Sequence, residues 1–497
     1  MINIEAELKR FHIGPKGVIH VGAHTAGEVA TYKELGFTSI ILIEANPILS
    51  DKLEEKFSSD PSIKIINAAI TDFNGAIDLN VANFDQSSSI LRMKDHSVIY
   101  PSIVEIGKMR VNARTLDSIF NEDGMDISLY NFLNIDIQGA ELQAFIGAPQ
   151  VLKQMEAINT EISFTELYEG CARFEEVEYH LADHGFNRTK LCTPHHPSWG
   201  DAFYVKRPLI TMTDLGNNGR FGNQFFQYVF LHCISQRYNA VLHVPQWTGN
   251  AMFDFDDPIP QLPRKLTHIN DCGESLPLVD RDGNSVTCQG LLKGAPVNLP
   301  DSDFSGYFQF HTENYRPYKD SIRERFKFTR IIQKTFSVAL DAIRSLGKKI
   351  IAIHLRRGDY GYKCFYKAPC NWYETWLSNS GYNPDQFIVY IASDEPEVYK
   401  SRFQPFETLI APQFFPSTKD PFPLLAIDFF MMTFSDVVAI SNSSFSFSAC
   451  LLNDRASDFF RPDPINRRIV RFDPWDSHVL DEFNFSDDYH AELNSID

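Results

Sequence analysis

The stretch Ile350-Ile351-Ala352-Ile353-His354-Leu355-Arg356-Arg357-Gly358-Asp359-Tyr360 sets an imidazole and two guanidiniums directly after an apolar run. The run reads as a short buried strand. A strand ending in His-x-Arg-Arg delivers these groups to the mouth of a cleft. Guanidinium forks match the paired oxygens of phosphate, and a diphosphate leaving group needs such neutralisation. The other reading of the motif by itself is a surface arginine pair in a salt bridge.

Three further segments belong with it. Gly219-Arg220-Phe221-Gly222-Asn223-Gln224 is a glycine turn running into an amphipathic helix, and Ile391-Ala392-Ser393-Asp394-Glu395 is a strand end carrying a carboxylate. Val437-Val438-Ala439-Ile440-Ser441-Asn442-Ser443-Ser444-Phe445-Ser446 is a strand followed by hydroxyls that can cap the next helix. Each has a structural alternative: Ser443 and Ser444 as N-caps, Asp394 as a turn residue. The residues do not identify a general base; Asp359 is one candidate and equally a cap for a helix after the motif.

A second constellation lies near the amino terminus. Val18-Ile19-His20-Val21-Gly22-Ala23-His24-Thr25-Ala26-Gly27-Glu28 reads as a strand, a glycine turn and a helix start. Gly22 allows close backbone approach by a ligand, and a helix amino terminus favours a carboxylate or phosphate. About 20 residues on, Ile40-Ile41-Leu42-Ile43 ends in Glu44, placed to accept both hydroxyls of a ribose. This geometry is generic to nucleotide-binding α/β folds, and the full GxGxxG fingerprint is absent. Asp136, Glu141 and Glu161 are the carboxylates available as bases. Glu141 could instead cap the helix after Gly139, and Glu161 could pair with an arginine. The adjacent His195 and His196 read as solvent- or acceptor-facing rather than as metal ligands.

The elements that position these groups follow from the pattern. Apolar strands at 17–21, 39–44, 63–69, 129–137 and 157–164 alternate with helical stretches, which means an α/β domain with a mainly parallel sheet. Lys206-Arg207-Pro208 reads as a linker. A second α/β unit starts at Leu209-Ile210-Thr211, has long loops over 257–303, and resumes a strand–helix series from Lys349 to Ile469. The acidic tail after Trp475 wraps the surface or frays. At 497 residues the chain needs two or three domains, and its net charge of -18 argues against nucleic acid or an anionic membrane as main partner. There is no signal-peptide pattern and no apolar run long enough to span a bilayer. The 8 cysteines include no CxxC pair, so a reducing cytoplasm is expected.

Val21-Gly22-Ala23-His24, Ile43-Glu44-Ala45-Asn46-Pro47, Thr115-Leu116-Asp117 and Asn134-Ile135-Asp136-Ile137-Gln138-Gly139-Ala140-Glu141 together resemble the FkbM family of S-adenosylmethionine-dependent O-methyltransferases. The resemblance covers residues 15 to 206 and implies a class I methyltransferase fold over residues 1–206. Gly22, Ala23, Glu44 and Asp136 would then touch the cofactor, and Asp136 and Glu161 would be catalytic. Many family members have Asp at the position of His20 and Asn at that of His24. Methyl transfer to a sugar hydroxyl needs a base or a divalent metal, because a free alcohol is a poor nucleophile.

The carboxy-terminal set resembles the α-1,2-fucosyltransferase family, over residues 209 to 465. The resemblance implies a GT-B architecture in residues 207–497, with an acceptor-side half at 209–345 and a GDP-sugar half at 346–475. It implies GDP-fucose held by Arg220, Asn223, His354, Arg356, Arg357, Asp394, Ser443 and Ser444, and inverting transfer without a metal. Arg356 would take the diphosphate and His354 would orient phosphate or sugar. Phe447 and Ser448 stand where Trp pairs are common, and Ser-Asp-Glu where Ser-Asp-Asp is common. The combined expectation is a bifunctional enzyme that fucosylates an oligosaccharide or polysaccharide and O-methylates a sugar, with the same fucose as one candidate, in the cytoplasm or peripheral to a membrane glycan-assembly system. The alternatives are a glycan-positioning protein with one active domain, or a different sugar donor or acceptor.

Overall fold

The computed structural model describes residues 2–122, 124–261, 264–271, 278–413, 422–481, 483 and 485–496. The chain divides into two compact units, residues 1–209 with 239–242 and 261–264, and residues 210–238, 243–260 and 265–497. Residues 262–263 and 272–277 of the expected loop region lie outside the described residues.

The first unit is built on a seven-stranded sheet in the order Ile63–Asn67, Ser39–Glu44, Gly17–Val21, Phe132–Ile135, Ala157–Ser163, Trp199–Val205, Asn187–Cys192. The first five strands are parallel, and Trp199–Val205 runs antiparallel to both of its neighbours. Ile19, Ile41, Leu42, Leu133 and Ile158 are fully buried, as expected for near-continuous apolar strands covered on both faces. Chain order reverses between Gly17–Val21 and Phe132–Ile135, and the crevice outside the carboxyl ends at such a point is where open α/β sheets bind ligands.

Two sequence expectations shift here. Residues 63–69 divide into Ile63–Asn67 and a separate strand, Ala69–Ile70. The latter joins a second sheet in the order Ala69–Ile70, Glu105–Arg114, Gly75–Ala82, whose long hairpin the alternation pattern did not reveal. The helix after Gly22 begins only at Val29, because His24 and Ala26 take left-handed φ of 47° and 51° in the intervening turn.

In the second unit, Ile210 and Thr211 pair in parallel with Ser302–Ser305, which pairs in parallel with Thr267–Asn270. The helix Phe221–Tyr238 is not amphipathic but apolar on most of its circumference. Phe225 packs on Phe326, Phe226 on Phe447 and Phe221 on Phe429, so partners surround it. The other sheet of this unit has the order Thr408–Ile410, Phe387–Ser393, Lys349–Leu355, Val437–Ala439, Asp458–Asp463, Arg468–Arg471. Its first five strands are parallel and its last pair antiparallel. The switch point falls between Lys349–Leu355 and Val437–Ala439. The acidic tail forms the helix Asp487–Asn494, with Leu493 buried against this half rather than frayed. The α/β class expected from sequence holds in both units. Among the described residues, no helix is long and apolar enough to cross a membrane.

Candidate active sites

In the first unit a cleft opens at the carboxyl ends of Gly17–Val21, Ser39–Glu44 and Phe132–Ile135. Its empty space, counted out to open solvent, is about 620 Å³, lined by Gly22, Glu44, Asp136 and Gln138 and by apolar Ile43, Leu49, Ile70, Leu79 and Ile90. Gly22 has φ +83°, and a Cβ there would meet the Asp136 carbonyl oxygen at 1.8 Å. The close approach that this glycine permits is therefore internal. Its N–H and that of Ala23 both donate to the Ile43 carbonyl, at 2.9 and 3.1 Å. The two residues shape the turn rather than offering free donors.

Glu44 is buried, and its carboxylate takes the backbone N–H of His24 at 2.8 Å and that of Asn46 at 2.9 Å. Burial raises its pKa against these bonds. A carboxylate has about four lone-pair sites, so acceptor capacity remains for ribose hydroxyls. His24 Nε2 lies 3.1 Å from Asp85 Oδ1, tying the turn to the opposite wall of the cleft. His20 points instead into the core, with Nδ1 3.4 Å from the Tyr32 hydroxyl, and burial lowers its pKa.

Beyond the strand Phe132–Ile135, oxygens of Asp136, Glu141 and Glu161 lie within 4.8 Å of one another. That spacing suits a shared proton or a divalent cation. Gln138, at φ +56°, joins two of them: its Nε2 donates to Asp136 Oδ1 at 2.7 Å and to Glu161 Oε2 at 2.6 Å. The Tyr168 hydroxyl donates to Gln138 Oε1 at 2.8 Å, which fixes which end of the amide faces the acids. Burial, and then the charge of Asp136, push Glu161 well above the usual carboxylate range. Burial pushes Glu141 up to about 7. Glu141 Oε1 accepts the N–H groups of Ile137 and Gly139, at 2.9 and 3.2 Å, so it braces the turn before its own helix. Glu161 pairs with the glutamine rather than with an arginine. His195 and His196 stand beside Trp199 and Tyr100, outside this cluster.

In the second unit His354 ends the central strand Lys349–Leu355, buried, with Nδ1 2.8 Å from the Ser441 hydroxyl. Arg356 donates to Asp359 at 2.5 Å, approaches Asp394 Oδ2 at 3.3 Å and lies over the Tyr360 ring at 5.6 Å. Arg220, from the turn before the long helix, also pairs with Asp359. Burial pushes Asp359 up, but Arg356 and Arg220 outweigh it and its pKa is lowered. The carboxylate caps no helix: the next one, Cys370–Asn379, is preceded by Pro369.

Arg357 departs from the expectation of two guanidiniums at the cleft. Neighbouring residues at a strand end point to opposite sides. Arg357 turns inward, donating to the Ala368 carbonyl at 2.8 Å and lying 4.8 Å from the Tyr399 ring, with only 3% exposure. Its backbone N–H donates to Asp394 Oδ1 at 2.9 Å. Asp394 is thus a brace for the Arg356–Arg357 turn. Ser443 caps the helix Ser444–Leu452, and the Ser444 hydroxyl donates to Asn223 Oδ1 at 3.0 Å. The same oxygen takes the Gln309 amide at 2.7 Å. A Cβ on Gly222 would meet the Phe445 nitrogen at 2.5 Å, so glycine is what lets these two helix starts meet.

Arg220, Asn223, His354, Arg356, Asp394, Ser443 and Ser444 are therefore brought together, and Arg357 stands behind them. Sequence reasoning missed Gln138, Tyr168 and Ser441 as partners. Only the glycine after Gln138 hinted at a tight turn there.

Residues 20–188 match the model of the methyltransferase FkbM domain, so the first unit carries such a domain. The chain is 27% identical over 161 residues to the 2-O-methyltransferase NoeI of Sinorhizobium fredii (strain NBRC 101917 / NGR234). That stretch covers 31% of this chain and 65% of the relative's length, just under two thirds. The fucosyltransferase NodZ from Bradyrhizobium is similar over 54% of this chain and 100% of its own, at 13% identity and a TM-score of 0.36. A putative RNA methyltransferase from Pyrococcus horikoshii is similar over 41% of this chain and 80% of its own, at 12% identity and a TM-score of 0.24.

Proposed function

We propose that this chain is a bifunctional glycan-modifying enzyme, which transfers fucose from GDP-fucose to a sugar hydroxyl and O-methylates a sugar hydroxyl with S-adenosylmethionine. The observation that carries the reading is the FkbM domain match over a strand-end cleft that Asp136 lines, with Glu141 and Glu161 clustered behind it. The finer reading is an inverting α-1,2 transfer and methylation of the added fucose. The name of the NoeI relative supports a 2-hydroxyl as the methylated position.

In the first unit, Glu44 would hold the ribose of the methyl donor and the apolar wall its base. When bound, that donor supplies a methyl group on a sulfonium. Asp136 and Glu161 accept the proton of the attacking hydroxyl, with Gln138 holding both in place. In the second unit, Arg356 and Arg220 neutralise the charge that grows on the leaving diphosphate, exchanging Asp359 for it. The neutral His354 and the hydroxyls of Ser443 and Ser444 supply further polar contacts. The start of the helix Ser444–Leu452 adds partial positive charge.

The test is incubation of the full chain with GDP-fucose, S-adenosylmethionine and candidate oligosaccharides, with both groups located by mass spectrometry. Methyl on a residue other than the new fucose sinks the same-sugar version. Linkage analysis that finds a bond other than α-1,2 corrects the transfer. Absence of both groups from every acceptor, with neither donor bound, removes the reading altogether.

A further inference from the structure

The strand Trp199–Val205 pairs antiparallel with Ala157–Ser163, setting Asp201 opposite Glu161 and Trp199 opposite Ser163. Residues two apart share a face, and directly opposed residues share one too. Glu161, Ser163, Trp199 and Asp201 therefore form one patch, with Trp199 diagonal to Glu161 at about 7–8 Å, within reach of an aromatic ring. Burial raises the pKa of Glu161 and of Asp201, and after burial the charge of Asp136 raises both, so the acids stand near one another.

The indole is held in place. Its Nε1 donates to the Tyr100 hydroxyl at 3.2 Å, and its ring packs on the cluster of Leu167, Tyr168 and Cys171. Tyr168 is also the residue that orients Gln138, and the Ser89 hydroxyl donates to the Gln138 carbonyl at 2.9 Å. Indole and carboxylate pair thus share one brace. The exposed His195 ring lies 5.5 Å from Trp199, on the loop at the outer lip.

We propose that this patch is the acceptor subsite for methyl transfer, and that it takes a neutral pyranose stacked on Trp199 with its reacting hydroxyl on the Asp136–Glu161 pair. This rests on the methyl-transfer reading above. The ligand class follows from charge and shape. Burial and the charges of its acidic neighbours already hold Glu161 well above the carboxylate range, so a phosphate- or carboxylate-bearing acceptor or a nucleic acid is disfavoured here, whereas a neutral polyol supplies hydroxyl groups to the acids. One face of a pyranose is largely C–H and suits an indole. In the step itself, the hydroxyl oxygen bonds to the methyl carbon, the carbon–sulfur bond breaks with its electron pair going to sulfur, and the hydroxyl proton passes to the carboxylate pair.

Binding tests this without turnover. Methyl α-L-fucopyranoside is titrated into the full chain, with S-adenosylhomocysteine present, and followed by saturation-transfer NMR. Trp199→Ala is expected to weaken fucoside binding about tenfold and Trp199→Phe to retain most of it, with S-adenosylhomocysteine affinity unchanged in both. Fucoside binding that is unaffected by Trp199→Ala, or undetectable in the wild type, overturns the subsite while bound S-adenosylhomocysteine leaves the methyl-transfer reading standing. Failure of the wild type to bind S-adenosylhomocysteine overturns that reading instead. If Trp199→Ala does not fold, Trp199→Leu decides: it keeps apolar bulk at the position without an aromatic face, and fucoside binding at wild-type strength in that variant overturns the proposal.

Discussion

His354 Nδ1 and the Ser441 hydroxyl lie 2.8 Å apart, at the ends of the two strands that flank the switch point in the second unit. Burial, followed by the positive charges of Arg356 and Arg357, pushes this histidine down to about 3. It is therefore neutral at every working pH and acts as a hydrogen-bonding group, not as a cation. The imidazole resonances of His354 are expected to show no titration between about pH 5 and pH 8, where an ordinary histidine changes charge. A midpoint near 6.5 would show that the ring is exposed or stands beside an acid. The same measurement on Ser441→Ala tests whether the serine fixes the ring.

Arg356 and Arg357 are adjacent in sequence but differ in task. Arg356 reaches Asp359 and Asp394 beyond the carboxyl end of its strand, whereas Arg357 ties the interior through the Ala368 carbonyl. Arg356→Ala is expected to cut sugar transfer by about 10²–10³ or more, with methylation of a supplied fucosylated product preserved. Its melting temperature stays near that of the wild type. Arg357→Ala strips a buried carbonyl of its donor, a loss of about 1–3 kcal/mol, and lowers the melting temperature. Equal effects of the two variants on melting and transfer would remove the distinction.

The carboxylate cluster gives a prediction about metals. Gln138 Nε2 sits between Asp136 and Glu161 and donates to an oxygen of each, in the place that a bridging cation would take. Chelation with EDTA is expected to leave methyl transfer unchanged. Glu161→Gln, by contrast, should lower kcat for methylation by about 10²–10⁴ while S-adenosylhomocysteine still binds. Activity lost to EDTA and restored by a divalent cation would convert the cluster into a metal site.

How much of this was legible in the sequence depended on the range of the interaction. Strand ends were legible because apolar runs stop at polar residues, and Glu44, Asp136, His354 and Asp394 all fall at such points. Side-chain direction was not, and Arg357 shows why: the motif gives two guanidiniums, but the pleat sends them to opposite sides. Gln138 was invisible because its role depends on Tyr168 and Glu161, 30 and 23 residues away, meeting across the turn. What Gly22 makes room for was hidden for a similar reason. The sequence shows that a close approach is allowed, while only the fold shows that Asp136 makes it. The hairpin of Gly75–Ala82 and Glu105–Arg114 escaped because its strands mix exposed, half-buried and buried residues and carry no long apolar run.

Asp428 offers a test of the packing behind the second site. It lies on the helix Phe422–Phe434 and accepts the Tyr390 hydroxyl at 2.6 Å. Burial, with the nearby charge of Asp394, pushes it up to about 8, against the hydrogen bonds from Tyr390 and Ser393. An unfolded aspartate titrates near 3.9. Between those two values the unfolded chain has released the proton and the folded chain keeps it. The stabilising contribution is thus complete below about pH 4 and is lost as pH rises toward about 8, by at most ~1.4 kcal/mol per pH unit. Asp428→Asn can still accept the Tyr390 hydroxyl and has no proton to lose. Its melting temperature relative to the wild type is expected to climb from about pH 5 to about pH 8 and then level off. A difference that stays flat across that window would mean that Asp428 is ionised in the folded protein and is compensated by a partner.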